Sequence, residues 1–143
     1  EFVIQAMESI LNSTILCPDM LHQMAMTRYI NNSIKNGTLI NYIKSVNKKY
    51  KIAARKTLDS IRKNLSFPTL EPDGGLYTCM RVDMDCAKFV EEVLKGSGVL
   101  VVPGRGFGGT LRNAVRISYG PLVNDLEKIE MGFQKIAQYL KNG

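Results

Sequence analysis

Tryptophan is absent from this chain, histidine occurs once and cysteine three times. Cys17, Cys79 and Cys86 cannot pair completely, and no two stand in C-x-x-C spacing, so neither a disulfide framework nor a thiolate zinc or redox site is expected. They read as reduced and buried, since a free cysteine packs as a small hydrophobe. His22 lies off the face of Cys17, which argues against a Cys/His nucleophile and against a histidine-based metal centre. No uninterrupted apolar run nears the roughly 20 residues of a membrane span. The segment Glu1-Phe2-Val3-Ile4-Gln5 lacks the basic start and small-residue cleavage site of a signal peptide. No membrane partner and a cytoplasmic address are the resulting expectations. Acids are also scarce, with 13 Asp and Glu against 19 Lys and Arg, for a net charge of +6.

What is present is one domain's worth of globular material: 143 residues, 45% apolar and 22% charged, enough for a single core. The positive charge is concentrated. From Lys35 to Lys63 nine basic residues face one acid, Asp59, so this stretch carries +8 and the rest of the chain −2. The same stretch holds the longest helical pattern, with Leu39, Ile43, Val46, Tyr50, Ala53, Thr57, Ile61 and Leu65 every three or four residues. The lysines then fall mostly on the wet face. A solvated helix face is the favoured reading, and a basic nucleic-acid-binding module is the alternative.

Turn and cap signals divide the chain further. A first helix is expected from Pro18 to Asn36, stopped by Gly37, with Met20, Met24 and Ala25 as core. Thr38 caps a long helix over residues 38–65, about 40 Å in length, of the kind that spans two bodies. The turn Glu71-Pro72-Asp73-Gly74-Gly75 leads into a strand from Leu76 to Val82. Asp85 caps a helix with Cys86, Phe89, Val90, Val93 and Leu94 on one face, ended by Gly96 and Gly98. Val99 to Val102 is a short apolar strand, residues 103–109 a glycine-rich loop, and Ala114 to Tyr119 another strand. Asn124 with Glu127 forms a capping box for a last helix whose stripe is Leu126, Ile129, Phe133, Ile136 and Leu140. The sum is an α+β fold: a small sheet of three to four strands covered by helices, after a helical lead-in at residues 1–37, with the domain proper at residues 38–143.

Two motif readings fail on context. Gly104-Arg105-Gly106-Phe107-Gly108-Gly109 contains G-x-G-x-x-G, but a strand follows where a dinucleotide fingerprint needs a helix. It also begins like an RNA-recognition signature, yet Gly109, Thr110 and Arg112 stand where the stacking aromatics belong. Arg116 is more informative. Alternation puts Val115, Ile117 and Tyr119 on one face and Ala114, Arg116 and Ser118 on the other, so the guanidinium sits between small neighbours. Two readings stay open on spacing alone: bidentate capture of a carboxylate, or an internal salt bridge with an acid such as Asp73 or Asp83.

The order of these motifs resembles the C-terminal part of class I/II aminotransferases, the fold-type-I pyridoxal-phosphate-dependent enzymes. The resemblance rests on Gln23 with Ala25, on Pro72-Asp73-Gly74-Gly75-Leu76-Tyr77, on Gly98-Val99-Leu100-Val101-Val102-Pro103-Gly104 leading to Phe107-Gly108, on Val115-Arg116-Ile117-Ser118, and on the helix from Leu126. It implies that Arg116 grips the α-carboxylate of an amino acid or 2-oxo acid and that Phe107 lines the active-site entrance. It also implies pyridoxal 5'-phosphate in a homodimeric parent enzyme, with the cofactor-holding lysine in a large domain upstream. No lysine here stands in a serine-rich lysine motif. The chain alone is therefore expected to hold no cofactor and to be inactive.

Overall fold

The computed structural model describes residues 1–15 and 19–142. The expectations placed on Cys17 and Pro18 lie outside them. The chain divides into two compact units, Glu1–Lys44 and Ser45–Gly143.

The first unit is helical. Helix α1 runs Phe2–Thr14 and α2 runs Met20–Lys35. Helix α1 precedes residue 18, where the first helix of the expected helical lead-in over residues 1–37 was to begin. Asp19 caps α2, its carboxylate accepting the His22 backbone N–H at 3.2 Å, so the helix is set by an aspartate cap. Met20 and Met24 are 70% and 67% exposed, and Ala25 is exposed as well. They are not core, because the described part of this unit is all helix and supplies no layer over that face. Ser33 is its one buried residue among those described.

Helix α3, Thr38–Asn64, includes the expected cap Thr38 as its first residue. The Asn36 side-chain oxygen accepts the Thr38 N–H at 3.1 Å, and the Gly37 carbonyl opens the helical ladder by accepting from Asn41. Only its C-terminal half is buried, at Ala53, Thr57, Ser60 and Ile61; Leu39, Val46 and Tyr50 are half-buried and Ile43 is 43% exposed. The apolar stripe is real, but its full burial is confined to the last three turns.

In the second unit, strands β1 (Tyr77–Arg81), β2 (Val102–Pro103) and β3 (Ala114–Ser118) form an antiparallel sheet in the order β1-β3-β2. The register pairs Cys79 and Val102 with Arg116, and Tyr77 with Ser118. Thr78, Met80, Val115 and Ile117 point inward and are buried. Helix α4 (Cys86–Ser97) is capped by Asp85 as expected, its Oδ1 accepting from Ala87 and Lys88 N–H. Gly98, at φ +70, closes it. Gly96 does not end it; it lies inside the last turn against the Tyr139 ring. Residues 99–101 stay outside the sheet. Residues Gly104–Phe107 and Gly109–Leu111 wind into short 3-10 turns, not an open loop.

Helix α5 runs Leu126–Asn142. Asp125, not Asn124, precedes its first residue, and its carboxylate pairs with the Lys128 ammonium at 2.8 Å. Lys128 thus occupies the position where a capping box needs Glu or Gln. Ile129, Phe133 and Ile136 are buried as the periodicity predicts, joining Phe89, Val93, Met80 and Val115 in one core. Each such large side chain contributes about 1.5–3 kcal/mol by leaving water. No helix among the described residues is long and apolar enough to cross a membrane.

Candidate functional site

The outer sheet face is built by strand alternation. Tyr77, Cys79 and Arg81 from β1, Val102 from β2, and Ala114, Arg116 and Ser118 from β3 share it. The arginine is half-buried at the centre. Its Cζ lies 4.9 Å from the Tyr77 ring centroid and 4.6 Å from that of Phe107, within cation–π range on both. Tyr77 reaches it diagonally across the β1–β3 pair, and Phe107 reaches it from the 3-10 turn after β2.

That turn is held close by Gly104, where a Cβ would come within 2.5 Å of the Ala114 carbonyl oxygen and 2.6 Å of the Leu111 carbonyl oxygen. No side chain fits there, so glycine lets the backbone carry Phe107 over the sheet. The two residues named from sequence, Arg116 and Phe107, are therefore brought together. Tyr77 was missed as a site residue. Its place on the strand was legible, but the register that points it at Arg116 was not.

The electrostatics are unusual for an arginine so placed. Its Nε is buried and has no hydrogen-bond partner. A stripped donor of this kind costs about 1–3 kcal/mol. Among the described residues, none of the ion pairs involves Arg116; neither Asp73 nor Asp83 reaches it. A carboxylate bound by the guanidinium would supply the missing charge.

The same face does not fit pyridoxal phosphate. It carries no lysine for the cofactor's aldehyde and no acid for its pyridine nitrogen. Among the described residues there is no cluster of three His, Cys, Asp or Glu able to hold a metal ion. Cys86 is buried and Cys79 half-buried, both free. His22 is exposed with Asp19 at 2.6 Å, where the His22 hydrogen bonds lower the Asp19 pKa. The basic stretch is partly spent on internal pairs: Lys56 and Lys63 both meet Glu130, and Arg62 meets Glu71.

A small antiparallel sheet, helices α4 and α5 and a long helix leading in form the α+β arrangement the motif order implied, consistent with the small domain of fold-type-I aminotransferases. No protein-family model matches the chain. It is 32% identical over 78 residues to the (5-formylfuran-3-yl)methyl phosphate transaminase of Methanocaldococcus jannaschii, covering 54% of this chain and 20% of that protein. It is also 32% identical over 80 residues to aromatic-amino-acid aminotransferase 2 of Thermococcus litoralis, again covering 54% of this chain and 20% of the relative. The crystal structure of Pyrococcus horikoshii kynurenine aminotransferase superimposes with a TM-score of 0.80 at 26% identity, over 98% of this chain and 34% of that one. The matched region thus spans about a fifth of the curated relatives and a third of the solved one.

Proposed function

We propose that this chain is the substrate-carboxylate-binding small domain of a pyridoxal-phosphate-dependent aminotransferase acting on amino acids and 2-oxo acids, with residues 1–37 as its helical lead-in. Arg116 accepts the α-carboxylate, Tyr77 and Phe107 hold the guanidinium plane, and Phe107 borders the entrance. The observation that carries this reading is the unpartnered, aromatic-flanked guanidinium of Arg116. A carboxylate fixed by two parallel hydrogen bonds places the substrate Cα and the axis of its bond to the carboxylate, one of the conditions for oriented reaction. In the parent enzyme pyridoxal phosphate, held by residues outside this face, would supply the electron sink for that chemistry. The ion pairs of Lys56, Lys63 and Arg62 count against the nucleic-acid alternative, because they tie three of the nine basic groups to the protein's own acids.

The test is Arg116→Lys in the aminotransferase that contains this sequence. Lysine keeps the charge and loses the fork. The charge-assisted hydrogen bonds at stake are worth about 1.5–3 kcal/mol, so kcat/KM should fall about 10- to 100-fold. An unchanged kcat/KM would remove Arg116 from the site. The chain by itself should show no transamination when pyridoxal phosphate is added, because its carboxylate site offers no amine to hold the cofactor.

A further inference from the structure

We propose a second anion site, separate from the Arg116 face: the cleft between the glycine segment and the start of α4 binds a phosphate-class dianion. This open cleft, about 550 Å3, is lined by Asp85, Arg105, Gly106, Gly109 and Arg112. Two arginines therefore border one volume. Among the described residues neither takes part in an ion pair. Like charges around a shared cleft repel, and an anion between them turns the repulsion into two attractions.

The single acid on the wall, Asp85, keeps its charge but has one oxygen engaged by the backbone, and the two arginines outweigh it. Its Oδ1 accepts the Ala87 N–H at 2.9 Å and the Lys88 N–H at 3.3 Å as the cap of α4. The remaining wall is backbone, since Gly106 and Gly109 have open space where a Cβ would stand. An oxyanion can approach main chain there more closely than it could past a side chain.

Both arginines hang from anchored backbone. The Arg112 carbonyl accepts the Cys86 N–H at 2.8 Å, and the neighbouring Asn113 carbonyl accepts the Val82 N–H at 2.9 Å. Arg105 stands next to Gly104, whose packing against Ala114 and Leu111 fixes the turn. Two planar forks match the several oxygens of a tetrahedral dianion, whereas a monocarboxylate would occupy only one. The ligand is thus a phosphoryl group, either free inorganic phosphate or a phosphomonoester.

Calorimetric titration of the 143-residue chain at about 0.15 M salt, with inorganic phosphate and with methyl phosphate, tests the site. One saturable site is expected for at least one probe. Arg105→Gln or Arg112→Gln should each weaken it about tenfold or more, since each removes one charge-assisted pair. Both side chains are exposed, so these variants should keep the wild-type circular dichroism. Lys48→Gln with Lys49→Gln, which removes charge from α3, should leave the affinity unchanged. Tighter binding of methyl phosphate assigns the site to a phosphomonoester, and tighter binding of inorganic phosphate assigns it to the free ion. Absence of saturable binding by both probes, or equal loss in the lysine and arginine variants, overturns the proposal.

Discussion

Arg116 and Glu130 show what a single charged side chain does in opposite circumstances. Arg116 has aromatic rings on two sides and no acid. Glu130 on α5 has two amines, Lys56 and Lys63 of α3. Hydrogen bonds from Lys56 and then Lys63 hold its carboxyl down at about 2. A carboxyl depressed in the folded state stabilises fully above its unfolded value of about 4.3 and loses that contribution as pH falls towards 2. Thermal unfolding of Glu130→Gln should therefore show a lower Tm than the parent at pH 6, with the gap closing between pH 4.5 and 2; a gap independent of pH would contradict the clamp. At this scale the sequence was partly legible. Alternation placed Arg116 on the open face correctly, but its freedom from Asp73 and Asp83, and its contact with Tyr77, depend on register, which no local pattern encodes.

Between elements, the α4–α5 contact turns on one missing side chain. A Cβ at Gly96 would stand 2.1 Å from the Tyr139 ring. Gly96→Ala should destabilise the chain by about 1–3 kcal/mol through overpacking. In a Tyr139→Ala background the same change should become neutral or stabilising by up to about 1 kcal/mol, because alanine is the better helix former. Chemical denaturation of the four proteins reads this sign change, and an equal cost in both backgrounds would refute the contact. Gly96 had looked like a helix stop, because a glycine near a helix end commonly marks one; only the partner helix reveals the packing role. Elements whose identity is local were legible: the Asp85 cap, the Gly98 close, the stripe of α5 and the three strands' order of appearance. What failed was set by distant groups. The burial of α3 fades beyond the reach of the sheet, and Met20 and Met24 carry a core-like pattern on a face that is exposed among the described residues.

Over the whole molecule, the second unit carries the core, the arginine face and the glycine segment, while the first displays apolar residues such as Phe2, Ile4, Met20 and Leu21 to solvent. On the function proposed above, this chain, which matches about a fifth of the curated relatives' length, would recognise one end of a substrate while other parts of the parent supply the reacting groups. That division of labour makes carboxylate recognition separable from turnover, and it can be measured on this chain alone. The most direct measurement is an NMR titration of the Arg116 side-chain Nε–Hε signal with a 2-oxo acid, pyruvate, and with its uncharged amide, pyruvamide. The account predicts a saturable shift with pyruvate, none with pyruvamide, and loss of the pyruvate response at the Tyr77 amide in Arg116→Lys. No shift with pyruvate, or the same shift with the amide, would contradict it.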